Sequence, residues 1–107
     1  MTPSQTASQA PGSPVPEQVS TELQRVVRRW QQLPLDHALS YAARVHALVQ
    51  SLADGVAKAT GVPAAEVPDC GPATLMDQLT VMVYDASAAE LTSTLAGDLA
   101  GLRRDLS

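Results

Sequence analysis

The chain has 107 residues, a net charge of −4 and an isoelectric point near 4.8, and 45% of its residues are hydrophobic. The acidic balance argues against nucleic acid or an anionic membrane as the main partner, because both require a basic protein surface. The single cysteine excludes an intrachain disulfide, and no apolar run approaches the length of a membrane span.

The amino-acid usage also indicates the base composition of the genome that encodes the chain. Phe, Ile and Asn are absent and Lys occurs once. The codons of these four residues are rich in A and T, so the composition is typical of a high-GC bacterium.

Residues 1–16 are rich in Ser, Thr, Gln, Pro and Ala, with Val15 as the one sizeable aliphatic residue. Such a segment cannot bury enough surface to offset its ordering entropy, so we predict a disordered tail over residues 1–16. It also lacks the basic start and apolar core of a signal peptide, which makes the cytoplasm the expected location. Residues 17–107 are predicted to form a single helical domain, of a size that oligomerisation often stabilises.

The first two predicted helices meet at Pro34. Residues 17–33 place their apolar side chains on one arc, with charged and polar residues elsewhere. The second helix is predicted from residue 35 or 36 to about residue 60, with Asp36 as its N-cap and Gly61 just past its end.

Residues 61–71 are predicted to form a connector between helices. Pro63 and Pro68 stiffen this segment, and we expect Val62 and Val67 to pin it onto the bundle. Asp69 is the expected N-cap of a helix that opens near Gly71 and Pro72.

The last third of the chain carries two apolar stripes, which lie on opposite sides of a single predicted helix. The first stripe comprises Leu75, Met76, Leu79, Met82, Val83 and Ala86. The second comprises Val81, Tyr84, Ala88, Leu91, Leu95, Leu99, Leu102 and Leu106. At about 100° per residue the stripes lie roughly 160° apart, so an unbroken helix would need two partner surfaces.

Two interpretations of this segment remain open at the level of sequence. A continuous helix over residues 72–105 is favoured, because residues 85–89 contain no Gly, Asn or Pro and are rich in helix-forming alanine. The alternative is a break near Ser87, where residues 87–90 (Ser-Ala-Ala-Glu) match a capping box. The predicted fold is therefore all-α, a hairpin or bundle of three helices, or of four if the break occurs.

The second stripe is the candidate interaction surface, because a small two-layer hairpin has too little core by itself. Its proposed members are Val81, Tyr84, Leu91, Leu95, Leu99 and Leu102. We expect the first helix to cover part of this stripe with Val19, Val26 and Trp30, and a second copy or another protein to cover the remainder.

The polar side chains do not form a catalytic arrangement. His37 and His46 are nine residues apart on one helix and point in opposite directions, so they cannot share a metal within one chain. Asp77 and Asp85 are separated by about 12 Å of helical rise, too far to act as an acid–base pair. Cys70 precedes a helix N-terminus and is a candidate reactive thiol.

The sequence therefore predicts a small non-catalytic cytoplasmic protein that mediates protein–protein association, as a homodimer or by docking a partner helix. We expect no cofactor, no metal, no nucleic acid and no membrane as a partner. The alternative is a ligand- or metal-binding bundle whose site forms between helices or subunits and uses His37, His46 or Cys70.

Overall fold

The computed structural model describes residues 13–107, which form four α-helices and no β-strand. The helices are α1 (Glu17–Gln32), α2 (Leu35–Thr60), α3 (Leu75–Ala88) and α4 (Leu95–Asp105), and a short 3₁₀ helix at Pro72–Thr74 precedes α3. The all-α bundle is thus confirmed. The predicted tail falls mostly on residues 1–12, which lie outside the described residues, whereas Val15 packs against the core.

The first two helices begin and end close to where the sequence predicts, but the N-cap of α2 differs from expectation. α2 begins directly after the extended Pro34, so Asp36 lies inside the helix and its carboxylate accepts a hydrogen bond from the His37 backbone N–H (2.9 Å). Asp36 is therefore not the N-cap. Gly61 ends α2 in the left-handed conformation (φ 75°), and the Val62 N–H donates to the Ala57 carbonyl, as predicted for this glycine.

The connector, residues 61–71, runs back along α2. The Gln50 side chain donates to the Ala65 carbonyl (3.1 Å) and accepts from the Val67 N–H (2.8 Å). Val67 packs against the core as expected, but Val62 is 54% exposed and does not pin the connector. An extended chain advances about 3.1 Å per residue, so the connector can run back along α2 for about 30 Å. This distance equals the rise of about twenty helical residues.

Because the connector runs back along α2, α3 starts beside the first half of α2 and runs in the same direction. Leu75, at the start of α3, lies in a groove with Leu39 and Ala42 of α2. Leu91, just past the end of α3, approaches Gly55 near the end of α2. The two helices are therefore parallel members of a bundle and do not form a hairpin.

α4 returns along the bundle and packs against α1, while α3 packs against α2. Polar contacts join the end of α4 and the residue after it to α1 and α2. Arg103 pairs with Glu22 (3.0 Å), Arg44 pairs with Asp105 (3.1 Å), and the Arg29 Nε donates to the Leu106 carbonyl (3.0 Å). The leucines of α4 and the apolar arc of α1 belong to one buried cluster, which includes Val19, Val26, Trp30, Leu95, Leu99, Leu102 and Leu106.

The break between α3 and α4 corrects the favoured interpretation of one continuous helix. After Ala88 the chain turns through Glu90, which adopts a left-handed conformation (φ 64°). The Leu91 N–H donates to the Ala86 carbonyl (2.8 Å) and the Glu90 N–H donates to the Ser87 carbonyl (3.0 Å). These two bonds form a Schellman motif, with Glu90 in the position that glycine usually occupies.

The capping box does not cause this break. Ser87 lies inside α3, and its Oγ is buried without a hydrogen-bond partner among residues 13–107. The break is instead favoured by tertiary packing. A non-glycine residue in the left-handed region costs about 1–2 kcal/mol, whereas burying each leucine of α4 contributes about 1.5–3 kcal/mol before entropy losses.

Replacing Glu90 with Gly should stabilise the protein by about 0.5–1 kcal/mol, because glycine relieves the left-handed strain but loses more conformational entropy on folding. Chemical denaturation measures the change. Glu90→Ala is the matched control and should give no such gain, since it retains Cβ. Gly61→Ala, at the corresponding position of α2, should destabilise by a similar amount. Equal stability of the Gly and Ala variants at position 90 would contradict the argument.

Glu22 is the carboxylate through which α1 holds the end of α4. A hydrogen bond from Arg103 lowers the pKa of Glu22 below its ordinary value of 4.5, and the nearby charges of Arg103 and Arg25 act in the same direction. The charged form is therefore favoured in the folded state. Its contribution to stability is present above pH 4.5 and is lost as the pH falls through the lowered pKa of the folded protein.

The Glu22→Gln variant should be less stable than the wild type at pH 7, and this difference should shrink as the pH falls below about 4.5. Thermal unfolding over a pH series measures both melting temperatures. Glu17→Gln is the control, since Glu17 forms no salt bridge among the described residues. A difference that stays constant into strong acid would show that Glu22 acts by packing and not by charge.

Candidate functional site

The structure divides the six residues of the predicted interaction surface into two groups. Three are at most 1% exposed and lie in the core: Leu95, Leu99 and Leu102. The other three are 55%, 47% and 38% exposed, respectively: Val81, Tyr84 and Leu91. The buried leucines are not accessible to a partner, because the break at Glu90 turns them towards α1. Only the exposed group remains a candidate surface.

Val81 and Tyr84 lie on the side of α3 that faces away from the core. At about 100° per residue they are opposite Leu79 and Val83, which are fully buried. We define the outer face of α3 as Asp77, Val81, Tyr84, Asp85 and Ala88, which share this side of the helix. This face has an apolar centre at Val81. The Asp77 carboxylate lies about one helical turn before Val81, and the Asp85 carboxylate lies about one turn after it.

An apolar groove adjoins the outer face of α3. This α3 groove has a volume of about 250 Å³ and lies between α2, the connector and α3. It is lined by Val49, Val67, Asp77, Gln78, Val81 and Met82. The Gln78 Nε2 donates to the Pro68 carbonyl (3.0 Å), which ties α3 to the connector. Since Val81 belongs to both features, the groove and the outer face form one continuous surface.

A second groove lies between α2, the connector and the start of α3. This α2 groove has a volume of about 760 Å³, with an alanine-rich wall from α2 and the connector carboxylates Glu66 and Asp69 opposite. Leu39, which lines this groove, is 50% exposed, and Leu35, one helical turn before it, is 71% exposed. These two leucines were not predicted as part of an exposed surface, although their spacing of four residues places them on one helix face.

The candidate chemical groups lie apart from one another. The exposed His37 ring packs against Tyr41 with ring centroids 5.7 Å apart, whereas the His46 Nε2 lies 3.1 Å from the Val67 carbonyl. Cys70 is a free, exposed thiol in the connector. No group of three His, Cys, Asp or Glu side chains within residues 13–107 is placed to hold a metal ion.

The geometry thus defines a class of protein: a small all-α bundle in which an exposed apolar face of α3 adjoins an apolar groove. Comparison of the chain with protein-family models, curated proteins and solved structures finds no match. None of the helices in the described part of the chain combines the length and apolarity needed to cross a membrane.

His46 and Gln50 position the α3 groove indirectly, because they bind both backbone groups of Val67. Gln50→Ala should destabilise the protein by about 1–2 kcal/mol and accelerate hydrogen exchange at the Val67 amide. Chemical denaturation and amide exchange measure the two effects. Gln31→Ala, which removes an exposed glutamine from α1, is the control. Unchanged exchange at Val67 in the Gln50 variant would show that packing alone holds the connector.

Proposed function

We propose that this chain is a small non-catalytic protein of the cytoplasm that mediates protein–protein association through the outer face of α3 and the α3 groove. One observation supports the proposal: Val81 and Tyr84 are about half exposed, and Val81 also lines a groove with an apolar lining. An apolar surface continuous with a groove is typical of a site where another polypeptide docks. The proposal assigns no catalytic residue, cofactor or metal to the chain.

The size of this surface indicates reversible association. Full burial of a side chain of this kind contributes about 1.5–3 kcal/mol, and Val81 and Tyr84 are already half buried. The two together would therefore add no more than about 3 kcal/mol. A small interface of this kind is typical of transient complexes, and much of its affinity must come from contacts around the apolar centre.

The proposal is tested by the oligomeric mass of the purified protein and by capture of its partner. At tens of micromolar, light scattering should detect self-association, or a pull-down should recover a partner protein. Val81→Asp should weaken the association about tenfold or more, because it places a charge in the apolar contact.

Ser51→Asp is the matched control, since it adds the same charge to an exposed position of α2. Circular dichroism verifies that both variants fold. A strict monomer without any recovered partner would contradict the proposal, and so would equal effects of the two substitutions.

A second candidate function rests on the α2 groove. Its volume of about 760 Å³ falls within the roughly 300–1,000 Å³ that small-molecule sites occupy. In this alternative the chain is a ligand-binding bundle. Nile red is a suitable neutral probe: its fluorescence should rise on binding and should fall again in an Ala43→Trp variant that fills the groove. An equal signal in both proteins would remove this alternative.

A further inference from the structure

The charges of this chain are segregated along its length. Residues 59–102 contain no Lys, Arg or His. The same stretch contains six carboxylates: Glu66, Asp69, Asp77, Asp85, Glu90 and Asp98. None of them forms a salt bridge within residues 13–107, where the ion pairs involve only Glu22 and Asp105 as acids. The connector, α3 and the first part of α4 are therefore uniformly acidic.

The proposed docking surface lies inside this acidic stretch. Asp77 lines the α3 groove, and Asp77 and Asp85 stand four residues before and four residues after Val81. At 1.5 Å of rise per residue, the two carboxylates are separated by about 12 Å along the helix, with the apolar centre between them. The charged side chains of the outer face and of the groove lining, Asp77 and Asp85, are thus both negative.

This arrangement disfavours a second copy of the chain as the occupant. In a two-fold contact between two outer faces of α3, an antiparallel crossing sets Asp77 of one copy against Asp85 of the other. A parallel crossing sets each carboxylate against its own equivalent. Both orientations bring like charges together at an interface, which strongly disfavours association.

We propose that the outer face of α3 and the α3 groove bind a basic amphipathic helix of a different protein. This inference rests on the proposed function and names its partner class. An apolar side chain of the partner enters the groove, whose volume of about 250 Å³ is below the range typical of small-molecule sites. Lysine or arginine side chains on either side of it, seven or eight residues apart on the partner helix, meet Asp77 and Asp85.

The test uses fluorescein-labelled synthetic helices and the full-length protein. One peptide carries a leucine stripe flanked by lysines about eight residues apart, and its matched partner carries glutamates in place of the lysines. Fluorescence anisotropy measures the affinity of each. The lysine peptide should bind, its affinity should fall as salt is added, and the glutamate peptide should not bind.

Variants of the protein locate the binding surface. Asp77→Asn combined with Asp85→Asn should weaken binding of the lysine peptide about tenfold. The control combines Glu90→Gln with Asp98→Asn, which removes the same two charges from the acidic stretch but away from the outer face. It should change the affinity less than about twofold, because neither side chain lies on the outer face or lines the α3 groove, and salt screens charges that do not contact the partner. Val81→Asp should abolish binding.

Each opposing result has a distinct meaning. Equal weakening by the two double variants would overturn the assignment of the surface, since it would show attraction to the overall charge. Equal binding of the lysine and glutamate peptides would overturn the basic partner. If no peptide binds but the protein self-associates in a Val81-dependent manner, the proposed function stands and this inference fails. If no peptide binds, the protein stays monomeric and a pull-down recovers no partner, both fail.

Discussion

The structure depends on the burial of the α4 leucines against α1. Leu95, Leu99, Leu102 and Leu106 are almost completely buried, and Val26 and Trp30 of α1 lie in the same cluster. A continuous helix would point these leucines away from α2, so the chain must turn after α3. The free-energy cost of the left-handed conformation at Glu90 is small compared with the free energy gained by burying four leucines. The turn at Glu90 is therefore favoured overall.

That burial also determines which surface stays exposed. α1 covers α4, and α2 together with the returning connector covers the inner side of α3. Val81 and Tyr84 are 55% and 47% exposed, so the N-terminal part of the second stripe lies at the surface next to the α3 groove. The candidate interaction surface is therefore a consequence of the same helix break that completes the core.

Charge and packing act together at this surface. The arginines of the chain lie on α1, α2 and the end of α4, where Arg103 and Arg44 hold the bundle closed through Glu22 and Asp105. In residues 59–102, which carry the proposed docking surface, every charged side chain is a carboxylate. These ion pairs join α4 to α1 and α2, whereas the carboxylates near Val81 have no salt-bridge partner among the described residues, as the proposed binding of a cationic partner requires.

The sequence by itself determined α1, α2, the end of α2 at Gly61 and the extent of the connector, because amphipathic periodicity, proline and glycine act over a few residues. It also indicated that Val81 and Tyr84 stand apart from the first stripe. Only the tertiary structure decided that the last helix breaks at Glu90, that α3 runs parallel to α2, and which leucines of the second stripe are buried. Glutamate carries no signal for a left-handed turn, and the choice depends on burial against α1, some seventy residues away in the chain.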